Sequence, residues 1–206
     1  MLPGWETRVS GTLLAGGQSR RMGGRNKALL ELGGRTVIER AADVLLRVFR
    51  EVNVITNSPQ LFSFLGLPMF ADILPGRGSV GGLLTALTVS KAPWTLIVAC
   101  DMPFLDERVI RHMLRLVDEH DVIVPRIGAH LEPLHAIYSQ RCLPHARQVA
   151  TSGDLRIWNF YDQVDTLEVP EDDIAKIDPQ FRFIINLNTP RDLEDARQLV
   201  RQSAQH

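Results

Sequence analysis

Leu14, Ala15, Gly16 and Gly17 close an apolar run, and Arg20, Arg21, Arg25 and Lys27 follow at once. Glycine has no Cβ, so the backbone N–H groups of Ala15, Gly16 and Gly17 can approach a ligand closely. Arginine forks suit bidentate contact with phosphate oxygens, and a lysine adds a compact charge. A polyphosphate fits that combination. A Walker loop is excluded, because it needs Gly-Lys-Ser/Thr and here Lys27 is followed by Ala28. With no hydroxyl at that place, the magnesium ligand for a nucleoside triphosphate has to come from elsewhere. The competing reading is a basic surface loop whose glycines only punctuate the chain.

Asp101 is the first candidate for that ligand. It stands where the apolar run of "LIVACDMPFL" stops, and Pro103 prevents the strand from continuing. A carboxylate at a strand's carboxyl end can give one oxygen to Mg²⁺ and leave the other positions to phosphates and water. A role for Asp101 in starting the next helix is better filled by Asp106. Gly76-Arg77-Gly78-Ser79-Val80-Gly81 is a literal G-x-G-x-x-G with Asp101 twenty residues beyond Gly81. A dinucleotide fingerprint should follow its strand directly, yet "DILP" intervenes, and an NAD site would leave the Leu14–Gly17 turn unused. Asn57, after "VNVIT", is either a base-reading amide or a turn asparagine, with Ile55 the competing register. His135 has no second histidine or cysteine at a metal-like spacing and reads as a partly buried structural histidine. Cys100 and Cys142, the two cysteines, make neither a disulfide framework nor a zinc site; Cys100 reads as structural, with no basic neighbour to activate it.

The elements that must position these residues follow from the apolar patterning. "TLLAGG", "VNVIT", "LPMFA" and "WTLIVAC" read as strands, the last apolar on both faces as a buried parallel strand should be. Between them, Ile38, Ala41, Ala42, Leu45, Leu46 and Phe49 recur at helical spacing. "DILPGRGSVGG" reads as a loop entering a helix through "LLTALTV", and "DERVIRHMLRLVDEH" is an amphipathic helix. This order predicts an α/β three-layer sandwich with a mostly parallel central sheet. In such sheets, ligands sit beyond the carboxyl ends of the strands, where the Leu14–Gly17 turn and Asp101 both fall. "DVIVP", "LHAIY" and "DTLEV" read as later strands. "TPRDLEDARQLV" reads as a helix with Thr189 as cap, Pro190 at the first position and Asp192 three residues after the cap. Asn186 and Asn188 alternate with apolar neighbours at a strand end and face one side; Asn188 also reads as part of the turn before Thr189. Trp158 and Phe160 read as core aromatics, with an acceptor cleft as the alternative.

The pattern L-A-G-G-x-S-x-R-M-G-x-x-K is filled here by Leu14-Ala15-Gly16-Gly17, Ser19, Arg21-Met22-Gly23 and Lys27. It resembles the signature of the Rossmann-like (GT-A-like) nucleotidyltransferases and, more narrowly, the molybdenum cofactor guanylyltransferases. "CDMPFL" matches that family's C-D-x-P-x-L, and "LEPLHAIYSQRCL" and "FIINLNTPRDL" resemble its later motifs. The resemblance implies transfer of GMP from GTP to the terminal phosphate of molybdopterin or Mo-molybdopterin, with release of pyrophosphate. It implies Mg²⁺ on Asp101, and catalytic roles for Arg21, Lys27 and Asp101. It places the nucleotide on Leu14, Ala15, Gly16, Gly17, Lys27, Asn57, Asp72, Gly78 and Asp101, and the acceptor on Asn186 and Asn188. The family's G-P-L-x-G loop is replaced by Gly78-Ser79-Val80-Gly81-Gly82, which predicts a less rigid loop. Cytidylyl or another nucleotidyl transfer on the same fold, and a nucleotide sensor without turnover, are the alternatives.

Composition is that of an ordinary globular protein: 206 residues, 45 % hydrophobic, 23 % charged, net charge -1. That balance argues against a nucleic-acid or membrane binder. The chain reads as one nucleotidyltransferase domain over 1–206, with a nucleotide-binding half at about 10–125 and an acceptor half at about 126–200. With no signal pattern at "MLPGWETRVSG" and no long apolar run, a cytoplasmic protein is expected. Beyond GTP and the pterin, proteins that deliver the cofactor or receive it are the remaining partner class.

Overall fold

The computed structural model describes residues 4–16 and 26–203. Gly17, Ser19, Arg20, Arg21, Met22, Gly23 and Arg25 lie outside the described residues. Among the described residues there are ten strands and six α-helices, in the order β1 (Val9–Leu14), β2 (Glu31–Leu32), β3 (Arg35–Thr36), α1 (Val37–Val48), β4 (Val52–Ile55), β5 (Met69–Phe70), α2 (Gly78–Val89) and β6 (Trp94–Ala99). Then follow α3 (Glu107–Leu114), β7 (Val122–Ile127), β8 (His130–Leu131), β9 (His135–Ser139), α4 (Leu143–Thr151), β10 (Thr166–Val169), α5 (Glu171–Ala175) and α6 (Pro190–Ser203).

The main sheet runs β10-β7-β9-β6-β1-β4-β5, with β8 beside β7; β2 and β3 form a separate hairpin. Every neighbouring pair from β6 to β5 is parallel, as are β7 and β10, whereas β9 lies antiparallel between β6 and β7. The reversal at β9 has a covalent cause. Only seven residues separate Ile127 from His135, fewer than the dozen or so that a parallel crossover needs. Gly128, at φ +57°, turns the chain into the β7–β8 hairpin instead.

Side chains of alternate sheet residues fill two cores. Leu13, Leu96 and Val98 meet Ile38 and Leu45 of α1 and Val109 and Ile110 of α3 on one face. Leu14 and Ile97 meet Val80, Leu83 and Leu87 of α2 and Ala146 and Val149 of α4 on the other. The result is a three-layer α/β sandwich. A smaller core of Leu32, Val37, Leu187, Leu193 and Ala196 fastens α6 to the β2–β3 hairpin. Among the described residues no helix is long and apolar enough to cross a membrane.

Several expectations change. The stretch Gly78-Ser79-Val80-Gly81-Gly82 is the first turn of α2 rather than a loop before it. Small residues are needed there because a Cβ on Gly82 would stand 3.1 Å from the Leu14 side chain, and one on Gly81 would stand 3.2 Å from the Leu74 carbonyl oxygen. α3 ends at Leu114 instead of reaching His120; the chain turns at Asp118, in the left-handed region at φ 92° and paired with Arg8. Residues 185–188 belong to no strand. Trp158 is exposed, while Phe160 is fully buried as expected.

Candidate functional site

β1 leaves the sheet between β4 and β6. Ala15 N–H donates to the Ile55 carbonyl at 2.9 Å, and Cys100 N–H donates to the Leu14 carbonyl at 3.2 Å. These bonds end the ladder at one level, so Leu14, Ala15 and Gly16 open onto the same carboxyl edge as Ala99, Cys100 and Asp101. A cleft of about 220 Å³ lies there. Its other walls are Asn26, Lys27 and Ala28, Asp72, and Gly78, Ser79 and Gly82 from the first turn of α2.

Lys27 opens a short 3-10 turn whose cap is Asn26; the Asn26 Oδ1 accepts from Ala28 N–H at 3.1 Å. The Lys27 Nζ lies 3.8 Å from the Asp101 Oδ2 and donates to the Asn188 Oδ1 at 2.7 Å. Both charged side chains are largely buried, about one-fifth exposed. Burial pushes the Asp101 carboxyl above the ordinary carboxylate range, and the Lys27 ammonium pulls it back.

At the far side, Asp72 and Asn57 bond reciprocally: Asn57 Nδ2 donates to the Asp72 Oδ2 at 2.7 Å, and Asp72 N–H donates to the Asn57 Oδ1 at 3.0 Å. Asp72 and Ile55 line the cleft, and Asn57 supports Asp72 from outside the lining. Asn186 spends its amide on the Ile184 carbonyl, at 3.0 Å, outside the cleft wall. Asn188 reaches the site through Lys27.

Asp101 suits a divalent ion held by few protein ligands. It is a carboxylate at the cleft wall, and among the described residues no group of three or more His, Cys, Asp or Glu could cage a metal. Mg²⁺ is commonly bound by one or two carboxylates and completed by substrate phosphates and water.

Asn26, Ser79, Ala99 and Leu134 line the cleft without having been site candidates from sequence. Asn26 alone carried a signal, an amide two residues before the N–H it caps. Cys100 differs from expectation in having Lys27 as a basic neighbour. Burial nonetheless holds its thiol up at about 12, so it stays an inert wall residue. His135 is fully buried, edge-on to Phe183 at 4.8 Å between ring centroids, and neither ring nitrogen finds a partner among the described residues.

The profile of the MobA-like NTP transferase domain matches residues 11–167, from β1 to β10. The chain belongs to that family. It is 38 % identical over 197 residues to a probable molybdenum cofactor guanylyltransferase of Pelotomaculum thermopropionicum, covering 95 % of both chains. It is 34 % identical over 194 residues to the molybdenum cofactor guanylyltransferase of Desulfosudis oleivorans, covering 94 % of this chain and 96 % of the relative. The fold matches the crystal structure of molybdopterin-guanine dinucleotide biosynthesis protein A from Archaeoglobus fulgidus, with a TM-score of 0.83 at 24 % identity, over 94 % of this chain and 99 % of that one. This MobA-like chain is therefore a nucleotidyltransferase.

Proposed function

We propose that the enzyme transfers GMP from GTP to the terminal phosphate of molybdopterin, forming molybdopterin guanine dinucleotide and pyrophosphate. One observation carries the reading: Leu14–Gly16, Lys27, Asp72, Gly78 and Asp101 converge on one cleft at the carboxyl edge of parallel strands. The names of the two relatives supply the base and the acceptor.

The terminal phosphate of the acceptor is already ionised near neutral pH, so its oxygen attacks the α-phosphorus without a general base. The bond from the α-phosphorus to the bridging oxygen breaks, and pyrophosphate departs with the electron pair. Catalysis then rests on placement and on neutralising charge. The Gly16 backbone holds the phosphate tail, the Ala15 N–H being spent on the Ile55 carbonyl so that Ala15 serves only as cleft wall, and Lys27, with Arg21, meets the charge that grows on the leaving group. Asp72, oriented by Asn57, contacts the nucleoside, and Gly78 lets the first turn of α2 approach it. Asn188 and Asn186 sit on the acceptor side. Asp101 is the residue that would hold Mg²⁺, which would supply positive charge against the phosphate oxygens.

The test is pyrophosphate release from GTP, Mg²⁺ and molybdopterin. One equivalent per dinucleotide formed is expected, with CTP a poor substitute. Equal use of CTP would overturn the choice of base, and nucleotide binding without release would leave a sensor instead of a transferase.

A further inference from the structure

The mechanism uses Lys27 but leaves open what aims its flexible stem. The segment leading into α6 does so from both ends. Leu187, fully buried, donates its N–H to the Asp101 carbonyl at 3.0 Å. One residue on, Asn188 accepts the Lys27 ammonium at 2.7 Å. Asn188 is fixed in turn: the Asp192 Oδ2 accepts from Asn188 N–H and from Thr189 N–H, each at 2.8 Å. The same helix grips the chain that follows Lys27, through Leu193 and Ala196 against Leu32. Val200 lies so close to Gly33 that a Cβ there would stand 2.7 Å from its Cγ1.

We infer that the first turn of α6 belongs to the active site, with Asp192 a positioning residue that holds Asn188 so that its amide oxygen directs the Lys27 ammonium toward Asp101. This deepens the proposed function and rests on its assignment of Lys27 to the leaving phosphates. A lysine stem has many rotamers, and fixing one costs entropy that a bound nucleotide would otherwise have to offset. The Asn188 acceptor lowers that cost before substrate arrives. Both backbone bonds end on one oxygen of Asp192, so its charge is not needed; an amide oxygen serves equally.

Lys27, Lys91 and Lys176 are the only lysines in the chain, so amine acylation read by mass spectrometry reports Lys27 separately. In the native protein Lys27 is expected to react more slowly than the exposed Lys91 and Lys176. Asp192→Ala should raise the Lys27 rate relative to Lys91 by about tenfold, the weight of one charged hydrogen bond. It should lower kcat by a similar factor with little change in KM for GTP. Asp192→Asn should restore both. Thr189→Ala removes the hydroxyl that accepts from Asp192 N–H at 3.2 Å, so it weakens the helix cap and should leave the Lys27 rate unaltered. Should Asp192→Ala fail to fold, Asn188→Ala removes the acceptor directly and carries the same expectation. An unchanged Lys27 rate in the folded variants refutes the positioning role. Normal turnover in Lys27→Ala would instead refute the catalytic assignment, and the acylation rates would still decide the coupling.

Discussion

A lysine at position 27 does what an arginine would do poorly. Its single ammonium meets the Asn188 oxygen at 2.7 Å and stands 3.8 Å from Asp101, a compact charge between two acceptors where an arginine would present a planar fork. Lys27→Ala is expected to keep the fold and lose about 10²-fold or more in turnover, and Lys27→Arg is expected to recover little; steady-state kinetics on folded variants checks both. Asp101 is held at a cost. Its carboxyl is raised by burial, so the folded chain binds that proton more readily than the unfolded chain. The contribution is favourable below the unfolded carboxylate value and is lost as pH rises through the raised folded value. At neutral pH Asp101→Asn should therefore raise the melting temperature of the ligand-free protein while abolishing Mg²⁺-dependent turnover. His135 works in the opposite sense. Burial lowers its pKa from 6.5 to about 3, with Asp106 opposing, so stability present above 6.5 is lost as pH falls toward 3. His135→Leu should flatten the stability profile over that window in denaturant titrations. It also removes two buried nitrogens that are unpaired among the described residues, each costing about 1–3 kcal/mol when unsatisfied.

At the scale of elements, α2 and β1 meet through the absence of side chains. Gly82 lets the helix settle on Leu14, and the contact sets the cleft between Gly78 and the Leu14–Gly16 turn. Gly82→Val would force the branched side chain into Leu14, where little space remains, and should cost about 1–3 kcal/mol while raising KM for the nucleotide. Chemical denaturation and KM measured together distinguish this from a simple loss of stability. The glycine-rich Gly76–Gly82 stretch was legible as glycine-rich but not as helical. Helix propensity argues against glycine, and only the neighbouring Leu14 and Leu74 show why nothing larger fits. Similarly, "DERVIRHMLRLVDEH" has helical periodicity to its end, but α3 stops after Leu114, and the turn at Asp118 involves a pairing with Arg8 from the far end of the chain.

For the whole molecule, the sheet was legible because its strands are short apolar runs punctuated by glycine and proline. "VNVIT", "WTLIVAC" and "DTLEV" each contain an observed strand, and the layered α/β architecture followed from their alternation with helices. The place of the cleft was legible for a related reason: Leu14 ends β1, Asp101 follows just past the end of β6, and parallel strands bring their ends to one edge. The partners of Asn57, Asn186 and Asn188 were not. An amide's neighbours depend on contacts from distant parts of the chain, such as the 161-residue span that brings Asn188 to Lys27. The most direct measurement of the central claim is a crystal structure with GTP and Mg²⁺ bound. The account predicts the triphosphate against the Gly16 backbone, with Lys27 on its outer phosphates and the metal on Asp101. A nucleotide lodged away from that cleft, for instance among Arg35, Arg40 and Arg47 between α1 and α3, would contradict it.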